Sequence, residues 1–297
     1  MKSYTTLRTA YGVDTKNTSS ANLTYGDERM NDFHRKILAK GDWPFLHRLR
    51  TANTVASTTF VALPYDVDLI ESVFVTVGTT RHSPKPAPSR QFWDKLHYTV
   101  QTSDTPEYWI QFDGQLGLWP RPASSSNVIS MNAKIRVIDL NTADITSSTV
   151  ATLANGSASI TLSAGLTTQM AGFWIRPTFS TTANTGDGQW YEISSVTSAT
   201  QATLVRNYGG VSISAGTAAC TIAQMPLLPE AFHDLPEIYA SYRYWGKEQD
   251  PRAQDFKRLL DDGVGELFAS YGMSDLSMVI DDGEDRPRIN PNLTISL

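Results

Sequence analysis

The sequence predicts an α+β protein with a helical bundle built from both chain ends, a β-rich domain, and a small all-β barrel or sandwich inserted between them. Three observations predict it. Apolar residues recur at helical spacing near both ends of the chain. The stretch between is dominated by β-branched and aromatic runs separated by Gly, Pro, Asp and Ser. Within that stretch the composition shifts abruptly at residue 149, where Thr, Ser, Ala and Gly take over and Lys and Glu nearly vanish.

Residues 1–50 read as the N-terminal helical segment. In "TYGDERMNDFHRKILAKG", Thr24 stands where an N-cap belongs, Met30, Phe33, Ile37 and Leu38 form a narrow stripe, and Gly41 is the stop. The segment ends in Trp43, Pro44, Phe45 and Leu46. Trp43, Phe45 and Leu46 are predicted to wedge this helix against the final helix and the base of the β domain. Large hydrophobes of that kind each stabilise by ~1.5–3 kcal/mol when buried.

Residues 51–148 read as the β-rich domain. Strands are predicted in "STTFVALP", "DLIESVFVTVG", "EYWIQFDGQLGLWPRP" and "NVISMNAKIRVIDL". The Asp113-Gly114 pair between two apolar runs marks a hairpin. "TTRHSPKPAPSRQFW" reads as a stiff, exposed loop whose Arg81, Lys85 and Arg90 suit a phosphate or an acidic partner.

Residues 149–224 form the inserted module. "TVATL", "SASITL", "GFWIRPTF", "QWYEISSV", "ATLVRNY" and "ACTIAQ" are short strands at regular intervals, the pattern of a barrel or sandwich. Residues 225–273 return to helix. One helix is predicted from Pro229, with Ile238, Tyr242 and Trp245 on one face. A second carries Phe256, Leu259, Leu260, Val264, Leu267 and Phe268 and stops at Gly272. Residues 274–297 read as an extended tail. From Asp275 onward it holds five carboxylates against Arg286 and Arg288, a charge of 2 − 5 = −3.

Chemistry is hard to find in this chain. The net charge is −5, which argues against a dedicated nucleic-acid binder. The single cysteine, Cys220, excludes an intramolecular disulfide, and its small apolar neighbours predict a buried thiol. The N-terminus has no apolar core of a secretory signal, and no stretch approaches the ~20 apolar residues of a membrane helix. The three glycosylation-type sequons, at Asn17, Asn155 and Asn292, therefore predict nothing. His233 and Glu237 stand four apart on a predicted helix, but without a third ligand they read as a solvated or capping pair. "DVD" at Asp66–Asp68 and "DDGED" at Asp281–Asp285 lack the spacing of a calcium loop and read as solvated turns. No nucleophile elbow, zinc-protease pair or phosphate-cradling glycine loop occurs, so the reading is no catalysis, no metal and no cofactor.

The order of motifs resembles the head–tail connector adaptors of tailed phages, the group that includes the tail tubular protein of short-tailed phages. The resemblance rests on the helix ending in Trp43–Leu46, on Leu63, Pro64 and Asp66 at a strand end, and on "PEY" at Pro106–Tyr108. It continues through "LGLWPRP" at Leu116–Pro122, the strand "NAKIRVIDL", and "LPEAFHDL" at Leu228–Leu235 before a long helix. These motifs cover roughly residues 20–148 and 225–273. The module at 149–224, with "MAGFWIR" at Met170–Arg176, departs from the simplest members and is similar to one inserted in some phage adaptors.

What the resemblance implies is a structural virion protein of the neck, between capsid and tail, assembled in the host cytoplasm. It implies a ring, usually of twelve copies, docked beneath the portal protein and joined to a tail or nozzle protein. DNA passes through the channel without being gripped, and no membrane is involved. The alternating Ile289, Leu293, Ile295 and Leu297, with Arg286 and Arg288, suit strand addition to a partner, and in family members the C-terminal segment reaches toward the portal. The rival reading is a tail-side or receptor-facing protein whose β module binds glycan or another capsid protein, motivated by Trp174, Trp190 and Tyr191.

Overall fold

The computed structural model describes residues 1–96, 98, 100–125, 127–179, 186–214 and 218–271. The chain opens with two helices, α1 (Tyr4–Asp14) and α2 (Ser20–Ala39). Each is capped by a serine, Ser3 and Ser19, whose side chain accepts a hydrogen bond from a first-turn N–H. The predicted cap at Thr24 is therefore displaced; Thr24 lies inside α2 and bonds back to the Ser20 carbonyl. The two helices approach closely at Gly26, where any Cβ would collide with the Tyr11 ring. Asn22 secures the turn between them, accepting from the Tyr11 hydroxyl at 2.8 Å.

After a 3-10 turn at Pro44–Leu46 the chain becomes extended. Strand β1 (His47–Asn53) starts three residues before the predicted helical segment ends. Strands β2 (Phe60–Ala62), β3 (Val67–Val77), β4 (Thr80–His82) and β5 (Lys85–Pro86) follow, then helix α3 (Arg90–Leu96). Next come β6 (Tyr108–Phe112), β7 (Gln115–Trp119) and β8 (Val128–Ile135). Asp113 and Gly114 both adopt positive φ, 50° and 67°, in the β6–β7 turn, the conformation a tight hairpin requires. Two four-stranded sheets result, ordered β1-β8-β3-β4 and β2-β7-β6-β5. They share one core, with Val73, Val75, Ile129 and Met131 from the first and Trp109, Leu116 and Leu118 from the second. The predicted loop after Thr79 is partly helical. α3 buries Trp93 against Gly117, where a side chain would not fit.

The next six strands are β9 (Thr149–Leu153), β10 (Ser159–Leu162), β11 (Trp174–Pro177), β12 (Tyr191–Ser198), β13 (Gln201–Leu204) and β14 (Ala218–Ala223). They form a closed barrel in the order β10-β13-β12-β11-β14-β9, in which β9 pairs back to β10. Val150, Ile160, Ile175, Ile193, Leu204 and Ile222 fill its interior. Cys220 is buried there, and burial pushes its thiol up to about 11.

The described residues end in α4 (Leu235–Lys247) and α5 (Arg252–Ser270). Pro229 precedes only a 3-10 turn, and α4 starts six residues later, with Pro236 in its first turn. Its buried side is only partly the predicted one: Trp245 is buried as expected. Tyr239, Ala240 and Trp245 are buried together with Glu237 and Ser241, while Ile238 and Tyr242 are only partly covered. In α5, Leu260, Val264, Leu267 and Phe268 are buried, but Leu259 is 50% exposed. Gly272, the predicted stop, lies outside the described residues.

Candidate functional site

Three places concentrate the polar and aromatic residues: the seam between sheet and barrel, the stem from which the barrel rises, and the aromatic cluster between α2 and α5.

The seam is built on Arg50 of β1. Its Nε donates to Asp66 Oδ2 at 2.8 Å and its Nη2 donates to Glu192 Oε1 of β12 at 2.8 Å, while Nη2 also lies 2.7 Å from Asp66 Oδ2 as an ion pair. Arg48 Nη1 forms an ion pair with the other Glu192 oxygen at 3.1 Å. The side chains of Arg50, Asp66 and Glu192 are 1%, 1% and 7% exposed. Burial works against the Arg50 charge, but Asp66 and Glu192 outweigh it and hold the guanidinium above its ordinary pKa. Gly172, at φ +85°, brings the barrel against Asp66, where a Cβ would sit 3.3 Å from the carboxylate. Beside it lies a cavity of about 20 Å³, lined by Asp66, Gly172, Phe173, Gln224 and Met225, with room for a single water. Asp66 is thus no solvated turn. Nothing in "DVD" distinguishes it, but Glu192 carried a signal: it is the single carboxylate on a predicted strand of a module almost without charge, and a lone strand carboxylate calls for a cation partner.

At the stem, the segments entering and leaving the barrel run side by side. Ile145 and Ile222 exchange backbone bonds at 2.8 and 2.9 Å. The Gln224 amide closes the base, accepting from Asn141 and Thr142 N–H at 2.8 and 3.0 Å and donating to the Asp139 carbonyl at 2.7 Å. Both segments are tied to helices. Asn31 of α2 makes a two-way contact with the Leu140 backbone, and Tyr4 N–H donates to the Gln224 carbonyl.

Trp43 is fully buried. Its indole N–H donates to the Ile37 carbonyl at 3.1 Å, and its ring meets Phe45, Phe268 and Tyr271. Leu46 is buried in the same cluster and Phe45 is partly covered. Nearby, two histidines are buried on either side of the segment that returns from the barrel. His34 Nε2 accepts from Leu227 N–H at 2.9 Å, and His233 Nε2 donates to the Leu228 carbonyl at 2.9 Å. Burial holds His34 neutral, with His233 and Arg35 adding to the effect, and pushes its pKa down to about 3. Burial also lowers His233. Glu237, predicted as solvated with His233, is likewise buried. Desolvation, with Asp14 beside it, pushes it up to about 8.

The remaining residues singled out in the sequence are scattered. Arg81 lies on β4 with its guanidinium over the Phe74 ring, and Lys85 is exposed on β5 in the other sheet. Arg90 opens α3, paired with Asp94 at 3.0 Å and stacked on Phe112. Arg286, Arg288, Ile289, Leu293, Ile295 and Leu297, and the acidic run Asp281–Asp285, lie outside the described residues. Among the described residues no group of three or more metal-ligating side chains comes together, and no helix is long and apolar enough to cross a membrane.

The part of the chain that holds the helices α1 and α2 and both sheets has a counterpart elsewhere. Residues 2–144 match the family model described as SU10 adaptor protein. The match spans just under half of the chain and supports a phage adaptor protein family, coarser than the head–tail connector group the motifs resemble. It stops at the first stem segment, one residue before Ile145 pairs with Ile222. No curated protein matches the chain.

Proposed function

We propose that the chain is a structural component of a phage particle that docks as a ring beneath the portal, joins capsid to tail, and lines part of the DNA channel without catalysis. The observation that carries this reading is the adaptor-family match over residues 2–144. In this reading α1, α2, α4 and α5 form one bundle from both chain ends, resting on the clusters around Phe33, Trp43, Tyr239 and Leu267 and around Leu7, Tyr11 and Met30. The barrel is a separable insertion at residues 149–224. The ring has the twelve copies that the resemblance implies, and the C-terminal segment Arg286–Leu297 adds to the portal or to a neighbouring copy. Net charge −5 suits a channel past which DNA slides, since Lys and Arg contacts to phosphate would grip it.

Light scattering of the purified protein with and without portal tests the reading. The expected outcome is a monomer or weak oligomer alone and a ring on the portal. A stable dimer indifferent to portal overturns it. Truncation after Asp285 is expected to leave monomer stability within ~0.5 kcal/mol, as for changes remote from a core, while abolishing portal docking; unchanged docking would reduce that segment to a plain terminus.

A further inference from the structure

The barrel is almost devoid of charge. Residues 149–224 contain four charged side chains, Arg176, Asp187, Glu192 and Arg206. Glu192 is consumed in the seam by Arg48 and Arg50. Asp187 is capped, accepting from the Tyr191 hydroxyl at 2.6 Å and from Gln189 N–H at 3.0 Å. The two arginines remain, both exposed and both beside one aromatic pair. Arg176 lies over the Trp190 ring at 4.7 Å, and Arg206 lies over the Tyr191 ring at 4.7 Å while donating to the Trp190 carbonyl at 2.8 Å. Among the described residues neither has a carboxylate within 4.0 Å. A guanidinium stacked on a ring is pre-oriented and keeps in-plane N–H donors free for a carboxylate. Arg and Trp together are also the residue types that dominate interface energetics.

We propose that the Arg176–Trp190–Arg206 face of the barrel receives a carboxylate-rich segment, and that the segment is this chain's own Asp281–Asp285. The run Asp281, Asp282, Glu284 and Asp285 places four carboxylates in five positions, enough to pair both guanidiniums. The reach is sufficient. Tyr271, the last described residue, sets its ring on Phe45 at 5.1 Å. Arg48, three residues further, touches Glu192, which stands two residues from Trp190. At 3.8 Å per residue plus side-chain lengths, those steps keep Tyr271 within roughly 46 Å of Trp190, inside the reach of the far end of the run. Asp281–Asp285 lie ten to fourteen residues past Tyr271, a stretch that spans up to roughly 35–50 Å. The contact is independent of the portal.

Disulfide trapping in the full chain tests it. Asn207→Cys beside the patch is combined with Gly283→Cys, and Thr80→Cys with Gly283→Cys is the control; Asn207 and Thr80 are both exposed. Under mild oxidation at low salt the Asn207 pair is expected to couple about tenfold faster than the control. Neutralising the run (Asp281→Asn, Asp282→Asn, Glu284→Gln, Asp285→Asn) or reversing the patch (Arg176→Glu, Arg206→Glu) is expected to remove that advantage, equivalent to ~1.4 kcal/mol. An intramolecular product supports the proposal, because the segment folds back on its own barrel; a dimer or ladder in its place means that the face takes a neighbour's segment and overturns it. Coupling no faster than the control, or insensitive to both charge changes, overturns it.

Discussion

At the scale of single residues, the seam sets an unusual condition: three charges are buried together and each depends on the others. Truncating Glu192 to Ala leaves Arg50 short of a partner in a water-poor site. The expected cost is ~3–5 kcal/mol, as for breaking one side of a buried pair. Replacing the set with Arg50→Met, Asp66→Leu and Glu192→Leu is expected to recover most of that, because the desolvation of three charges is avoided. Urea unfolding of the two variants measures both numbers.

Two other buried groups set the pH response. His34 has its folded pKa lowered from 6.5 to about 3, so the unfolded chain binds more protons and stability is lost as pH falls below 6.5. Glu237 has its folded pKa raised from 4.5 to about 8, so its contribution is fully present below pH 4.5 and is lost as pH rises through 8. Between 4.5 and 6.5 the slopes oppose each other. A broad stability maximum is expected there, with a decline on either side. Urea midpoints against pH measure it, and Glu237→Gln is expected to flatten the alkaline arm alone.

At the scale of elements, Trp43 joins the C-terminal end of α2 to the C-terminal end of α5. It fills the space between Ile37 and Phe268 and has a bonded N–H. Trp43→Ala is expected to cost ~3–5 kcal/mol, measured as a fall in thermal midpoint with no change in barrel near-UV signal. All six barrel strands were legible, because short β-branched runs broken by Gly and Asn leave few alternatives. The hairpin at Asp113-Gly114 was legible for the same reason. Boundaries in the helical parts were less so. Ser19, directly ahead of α2, outcompeted Thr24 as its cap, and β1 began early because His47–Asn53 pairs with β8 along its whole length, a long-range contact that local pattern does not carry. The buried face of α4 was read only in part: Trp245 is inside, but Glu237 and Ser241 satisfy each other at 3.0 Å and go inside too, which periodicity of apolar residues cannot anticipate. The Arg50 site joins residues 142 positions apart, and only the isolation of Glu192 hinted at it.

At the scale of the whole molecule, the barrel's two ends are adjacent at Ile145 and Ile222, the geometry that tolerated insertions share. Replacing residues 149–222 with a short Gly/Ser linker removes Glu192 and strands Arg50. Deletion in the Arg50→Met, Asp66→Leu background is therefore expected to retain the helical circular dichroism and melt cooperatively, whereas deletion alone is expected to melt lower. Collapse of the helical signal in both would mean that the barrel is part of the main core.

The stem makes the barrel a lever with two footings. A push on its far end cannot be absorbed by the stem alone, because Gln224 clamps both legs at the base. One leg is pinned to α2 through Asn31 and Leu140, the other to α1 through Tyr4. Ser3 and Thr5 of the α1 end also hold Asp144 on the first leg. Torque on the barrel is consequently shared between the Arg50–Glu192 seam and two helices that themselves approach closely at Gly26. A load on the barrel is therefore expected to reach α1, α2 and the first sheet together rather than a single segment of chain.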